Sequence, residues 1–579
     1  MLLTLAVAFV ASSSAQQAPD SVRLRQLFAQ NWAYTMREYP EFATAVGYPG
    51  QNGRWTDNSL EAIARRKREL NDPLTVLRAI DRAKLAATDQ LNYDLFRRNL
   101  TDALDESRFP GELMPVTQLG GVQQDVPSTI AQMPAGNVRE YEDIVARLRA
   151  VPVLVNQTMV LLQRGLAAGL TPPRITLRDV PAQAQNMVVD DPLTSPLLTA
   201  FIRFPAEVPA ADQQRLRGAA VAAYRDSVAP AFRRLSAFLR DTYVPGARTT
   251  TGIRDLPNGL AWYQVRARAS TTTDLTPEQI HAIGLAEVKR IRGQMDSVIA
   301  ASGFKGTFAE FVQFLRTDPR FYWTTPEDLI RASRELMKRI DPELTKLFGT
   351  LPRLPYGVSP IPSYAERSQT TAYYQPGSPL AHRPGTYFVN TYNLPARPKW
   401  EMEALSLHEA VPGHHLQIAL GQELEDVPEF RRYGGYTAFV EGWGLYSESL
   451  GGELGLYTDP YSKFGQLTYE MWRAIRLVID TGIHTMGWTR EQAIDYFKAN
   501  AAKTEHDITI EVDRYIVWPG QALAYKIGEL KIKELRAYAT TTLGSRFDVR
   551  AFHDQVLGAG AVPLDVLDAR IRAWVASVR

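Results

Sequence analysis

A histidine followed directly by a glutamate, His408-Glu409, opens a stretch in which two more histidines, His414 and His415, come close behind. A further glutamate, Glu441, stands a little later in the Gly- and Trp-rich segment EGWGLYSE. Of the eight histidines in the chain, three fall between 408 and 415 and six between His382 and His506. Imidazole nitrogen and carboxylate oxygen are the ligands of a catalytic zinc ion, which takes three from the protein and leaves a fourth position for water. The residue types therefore point to a zinc-bound water and hydrolysis. Ordinary polar residues on an amphipathic helix are the alternative, and the clustering of histidines argues against it.

The spacing departs from the common zinc-helix signature, His-Glu-x-x-His, which sets two histidines four residues apart on one helical face. Pro412 occupies that position here, and the next histidines lie six and seven residues after His408. A straight helix cannot present His408 and His414 together. Proline removes a helical N–H and crowds the preceding turn, and glycine accepts almost any backbone angle, so Pro412-Gly413 predicts a bulge or break. Such a bulge would swing His414 back to the metal. His415, two turns from His408 on an undistorted helix, is the rival.

The elements that must position these residues read as mainly helical. From Ser21 to about Arg108, apolar residues recur every three or four positions, the period of an amphipathic helix. Residues 109–136 contain Pro and Gly without periodicity and read as a long surface loop. Helices resume over 137–168, 209–244, 276–302, 303–316 and 325–347. Between 352 and 398 the chain turns rich in Pro, Tyr and Ser, and Gly385 to Tyr392, GTYFVNTY, reads as a β-strand. A strand just before a zinc helix could offer its free edge to an extended peptide, with Tyr387 and Asn390 on it as candidate substrate contacts. A small structural sheet is the other use of that strand. Beyond 450 the chain is helical again.

Composition bounds the rest. With 579 residues and 45% hydrophobic content the chain can bury a large core. Lys and Arg total 65 against 63 Asp and Glu, with no long run of either sign, which gives no footing for nucleic acid. Residues 1–15, MLLTLAVAFVASSSA, form a short apolar run ending in small residues and read as a cleavable signal peptide, so the mature protein is expected to be periplasmic or secreted. No later apolar run reaches, uninterrupted, the roughly 20 residues that span a bilayer. Cysteine is absent, which excludes thiolate ligands and thiol nucleophiles and leaves neither a disulfide framework nor a lipoprotein anchor. The expected organisation is one helical domain over 16–579, with a β-containing insert at about 352–398 and the zinc-site core at about 399–528.

Four stretches, HEAVPGHH at 408–415, EGWGLYSE at 441–448, PGTYFVNTYN at 384–393 and RYIVWPGQALAYKIG at 514–528, resemble a large bacterial family known as domain of unknown function 885, usually grouped with the gluzincin metallopeptidases. The resemblance implies a mainly α, multi-helix metallopeptidase fold with a small β-sheet insert beside the zinc helix. It also implies His408 and a second histidine as zinc ligands, with His414 favoured because it follows a glycine. Glu441 would be the third ligand, from a separate helix, and Glu409 the base.

In that scheme zinc lowers the pKa of its water and polarises the scissile carbonyl. Glu409 takes the water's proton and passes it to the leaving amine. A donor for the oxyanion is still needed, and Tyr525 or Tyr515 of the last stretch is expected to supply it. Arg514 and Lys526 could pair with a substrate carboxylate. His484 and His506 are further candidates for substrate contact, although a lone histidine near a helix end is more often structural. Asp480 could orient a zinc-bound histidine, and Glu448, on the same helical face as Glu441, is a lesser candidate as ligand or partner. The leading expectation is a zinc peptidase acting on short peptides. The alternatives are a zinc amidase or esterase, and a non-catalytic binding protein whose site the Pro412 break has ruined.

Overall fold

The computed structural model describes residues 18–363, 365–367 and 369–578. The expected signal peptide at 1–15 lies outside them. The chain is mainly helical, with one three-stranded sheet among the described residues. Its largest hydrophobic core draws on side chains from Leu95 through Leu336, Trp443 and Ile475 to Val575, so both halves of the sequence meet in one interior.

The axis of that interior is the Pro460–Thr485 helix. Asp459 caps it by accepting from the backbone N–H groups of Tyr461 and Ser462, and Pro460 sits at its first position, where proline's missing N–H would have no intrahelical partner in any case. From Phe464 to His484 every residue is buried, so this is a helix enclosed on all sides rather than one with a wet face. The Pro277–Ala301 helix packs along it, started by a capping box of Thr276 and Gln279.

The N-terminal helices, Asp20–Glu38 to Ala87–Ser107, gather around Leu24, Phe28, Leu77 and Phe96. A second cluster forms around Val138–Ala167, where Ile144, Leu148, Val155 and Leu162 meet Phe201 and Phe232. By length and composition that 30-residue helix could cross a membrane, but half of its apolar window is buried inside the protein. Residues 109–136, expected to be a loop, contain the Val122–Gln132 helix. Val122, Val126 and Ile130, four apart, all face inward, and this buried stripe overrides the interior Pro127.

The sheet has the order β1-β3-β2, with β1 Tyr356–Pro360, β2 Ala372–Gln375 and β3 Gly385–Val389. β1 runs parallel and β2 antiparallel to β3, with Tyr387 opposite Val358 on one side and Tyr374 on the other. The strand expected at GTYFVNTY is present but central, so neither of its edges is free. The edge strand beside the expected zinc helix is β2.

Candidate metal centre

The break at Pro412 divides the expected zinc helix into Met402–Glu409 and His414–Gln422. Ala410 leaves the helix at φ −106°, ψ −105°, the Val411–Pro412 bond is cis, and Gly413 stands at φ −76°, ψ −126°. A Cβ on Gly413 would collide with the carbonyl oxygens of His408 and Leu407. Close backbone approach, not an unusual φ, is what requires glycine there. The result is that His414 sits beside His408, ring centres 4.6 Å apart at 83°.

Glu441 arrives from the Thr437–Ser449 helix. Its Oε2 lies 3.5 Å from His408 Nε2 and 3.3 Å from His414 Nε2, and one ligand atom from each of the three residues lies within 4.8 Å of the others. Ligand atoms held ~2.0–2.2 Å from a tetrahedral zinc stand about 3.4 Å apart, so the spacing fits that ion. Glu441 Oε2 is buried and accepts no hydrogen bond, which in a natural interior calls for an explanation. A cation between the three side chains supplies one. Burial alone would raise the Glu441 carboxyl, but the facing imidazoles of His414 and His408 hold it well below the usual carboxylate range.

Each imidazole is oriented from behind. His408 Nδ1 lies 2.8 Å from Glu448 Oε1, and Glu448, fully buried, is also ion-paired with Arg473, whose Nη2 lies 3.0 Å from the same oxygen. A carboxylate behind a histidine fixes the tautomer that turns Nε2 toward a metal. Burial pulls the His408 pKa down, yet Glu441 and Glu448 outweigh it and raise it to about 9. His414 Nδ1 lies 3.0 Å from the side-chain nitrogen of Gln417, whose Oε1 has no partner. Turning that amide over offers Oε1 to an Nδ1–H and frees His414 Nε2 as a ligand. Gly444 makes the helix approach possible, since a Cβ there would fall 2.7 Å from His408 Cε1. Trp443 pins the same helix to the break by donating from Nε1 to the Pro412 carbonyl at 2.8 Å.

The triad opens into a cavity of about 290 Å³. Glu409 lines it beside His408, and Ala372, Tyr373 and Tyr374 of edge strand β2 form one wall. Arg473, Arg476, Arg514 and Tyr525 line it as well, with half-exposed Trp518 at the rim. The Tyr525 hydroxyl accepts from Arg514 Nη2 at 2.9 Å and from Gln521 Nε2 at 3.3 Å. With its lone pairs so used, its own proton is left to donate. The ring lies nearly parallel to His408, 6.2 Å between centres.

Several expected residues stand elsewhere. His415 turns away from the triad to bond Tyr374 Oη through Nδ1, 2.9 Å, and packs on Tyr356. Tyr515 is buried, and its hydroxyl already accepts from Trp472 Nε1 and Arg476 Nε. Tyr387 is buried against Ser406 because β3 is central. Asn390 acts indirectly, donating from Nδ2 to the carbonyls of Glu366, Gln369 and Thr370 and so shaping the loop whose Gln369 and Thr370 line the cavity. His484 is fully buried, accepting at Nδ1 from Ile253 N–H and bonding the Tyr515 carbonyl through Nε2, a structural tie that touches no cavity. His506 is exposed on the Glu505–Val517 helix and does not line the cavity. Lys526 lies inside a cluster with Glu287, Glu470 and Glu529. Asp480 accepts from Tyr263 and Gly520, so the histidine-orienting role falls to Glu448 instead.

Arg473 and Arg476 escaped the sequence reading. Their signal was present: two cations three apart inside the otherwise apolar run MWRAIRLVI, where an ionised side chain must meet a partner or a ligand.

Comparisons agree with this architecture. The chain aligns over 96% of its length, and over 100% of the other chain, with the crystal structure of a candidate lipoprotein from Colwellia psychrerythraea at 30% identity and a TM-score of 0.90. A candidate lipoprotein of unknown function from Shewanella oneidensis matches over the same shares at 17% identity and a TM-score of 0.70, a likeness of fold alone. No curated protein matches the chain. The model of a family described as bacterial protein of unknown function (DUF885) matches residues 40–571, and the chain belongs to that family.

Proposed function

We propose that the protein is a zinc-dependent hydrolase with a gluzincin-like site, acting as a peptidase on short peptides outside the cytoplasm. The observation that supports it most is the convergence of His408, His414 and Glu441 at the floor of a cavity that Glu409 also lines. Zinc held there would polarise a carbonyl and lower the pKa of a bound water.

The chain's own residues supply the rest. Glu409, next to His408 in sequence, accepts the water's proton and returns it to the leaving nitrogen. Tyr525 donates its free O–H to the oxygen that gains charge, held in place by Arg514 and Gln521. Glu448 keeps His408 aligned through the cycle. The β2 edge favours a peptide over other amides or esters: it has no strand beyond it among the described residues, and its Ala372–Tyr374 face the cavity. An extended peptide is what a strand edge accepts. The solved relative at 30% identity is described as a candidate lipoprotein, and together with the apolar run at 1–15 this favours export.

Metal content of the purified protein tests the reading. One zinc per chain is expected, lost in His408→Ala, His414→Ala and Glu441→Ala and kept in His415→Ala. Glu409→Gln should keep its zinc while peptide cleavage falls about a hundredfold or more. Failure of the parent protein to take up zinc, even when zinc is supplied, would remove the mechanism.

A further inference from the structure

The cavity has a second pole. Arg476 is buried, 3% exposed, and lines the cavity. Its Nε donates to Tyr515 Oη at 3.1 Å and its Nη2 to Glu511 Oε2 at 3.0 Å, but its Nη1 finds no partner. A buried guanidinium N–H without an acceptor is costly, because its desolvation is left uncompensated. The neighbouring charges do not complete it. Glu511 is shared with Arg514, whose Nη1 lies 3.6 Å from Glu511 Oε1, while Arg514 Nη2 is taken by Gln521 and Tyr525. Arg473, whose Nε also lacks a partner, has its charge met by Glu448, 3.0 Å from its Nη2. Arg476 and Arg514 thus face one carboxylate, Glu511, while the next, Asp480, is taken by Tyr263 and Gly520, so this end of the cavity leans positive.

Its distance from the triad is bounded. The Arg476 guanidinium carbon lies 4.2 Å from the Tyr525 ring centre, and that centre lies 6.2 Å from the His408 ring centre, so the cation stands within about 10 Å of the ligand. An extended chain advances ~3.3–3.6 Å per residue. Once the ion pair and the reach to the reacting carbonyl are allowed for, one or two residues fit between.

We infer that Arg476 is the anchor for the free C-terminal carboxylate of the substrate, with Arg514 and Tyr525 beside it, and that the protein removes one or two residues from the C-terminus of peptides. This rests on the hydrolase reading above and names its substrate class. In the reaction, the C–N bond one or two residues from the end breaks, the water oxygen joins the acyl carbon, and a water proton goes to the nitrogen of the released piece. The anchored carboxylate belongs to that leaving piece and is unchanged.

Binding tests the inference without turnover. Acetyl-Ala-Ala-Phe and its C-terminal amide, titrated into the metal-free full chain by calorimetry, should differ about ten- to a hundredfold in favour of the acid, the worth of a charge-assisted hydrogen bond or two. Equal affinity for acid and amide in the parent protein would overturn the assignment with no substitution involved. Arg476→Met should abolish the preference and Arg476→Lys should retain part of it. A preference that survives Arg476→Met in a folded variant would also overturn it. With zinc supplied, a longer free-acid peptide should lose its last one or two residues and its amide should not, whereas equal cleavage of both would reject the anchor and leave the hydrolase standing. An acid preference in a protein that takes up no zinc would uphold the anchor and reject the hydrolase.

Discussion

His408 is held between two carboxylates, Glu441 at Nε2 and Glu448 at Nδ1, in a site from which water is largely excluded. Without a metal that surrounding keeps the imidazole protonated at neutral pH, since its pKa is raised to about 9. A metal must then take the place of the Nε2 proton, and binding becomes proton-linked. Zinc titrated into metal-free protein at pH 7.5, in two buffers of different ionisation enthalpy, should release about one proton from His408. In Glu448→Gln that release should shrink as the pKa falls, and zinc affinity should drop about 10- to 100-fold with the loss of the orienting carboxylate. Uptake of zinc with no proton released would show that His408 is not held protonated in the metal-free site. At this scale residue type and clustering singled out His408, Glu409 and Glu441, while the role expected of each came from the family resemblance. The choice between His414 and His415 was not, because it depends on the backbone path through Val411-Pro412-Gly413, which no periodicity describes. Nor was Tyr525 separable from Tyr515: both are tyrosines on one stretch, and only the prior claims of Trp472 and Arg476 on the Tyr515 hydroxyl tell them apart.

The Thr437–Ser449 helix does three jobs on one face: Glu441 reaches His408 and His414, Glu448 backs His408, and Gly444 between them lets the imidazole lie against the helix. This follows from the helical period, which brings positions three, four and seven apart onto one side. Gly444→Ala adds a methyl group that would sit 2.7–3.0 Å from three atoms of the His408 ring. Glycine to alanine in a helix is otherwise favourable by up to about 1 kcal/mol, so the helix itself should survive. Zinc affinity should fall more than tenfold in this variant while its helical circular dichroism stays unchanged. Parent-like zinc affinity would mean that His408 is free to move aside and that the face is less rigid than its packing implies. The helices of this region were readable from their period and caps. The sheet was only half readable, since pairing order depends on contacts far apart in sequence: whether GTYFVNTY offered a free edge or joined a small sheet stayed open, and β1 and β2, too short and too rich in Gly and Pro neighbours to stand out, make it the centre.

The molecule also buries titratable groups that do not line the cavity, and they contribute to its response to acid. His484 and His553 are fully buried, and burial lowers their pKa to about 3 and about 4. Unfolded, each would titrate near 6.5. Because the unfolded chain binds these protons first, their contribution is complete above pH ~6.5 and is lost as pH falls toward 4 and then 3. Asp480 works the other way. Burial raises it to about 7, against the hydrogen bonds from Tyr263 and Gly520, so its contribution is complete below pH ~3.9 and is lost as pH rises through 7. The wider spans belong to the two histidines taken together, so the net slope below pH ~6.5 is toward instability in acid. Denaturant midpoints measured from pH 6.5 down to pH 4 should fall, by an amount worth about 3 kcal/mol once Asp480 is set against the two histidines. Both histidines tie the ends of the chain's long-range contacts, His484 joining the Pro460–Thr485 helix to Ile253 and Tyr515, and His553 joining the C-terminal helices to Leu347 and Tyr446. Their protonation should therefore loosen the shared core as one unit, and tryptophan fluorescence and circular dichroism should report the same midpoint at each pH. The same fall in Asp480→Asn, from which the opposing group is gone, should be larger, and midpoints that stay level in that variant from pH 6.5 to pH 4 would mean that these two imidazoles are not held neutral by the fold.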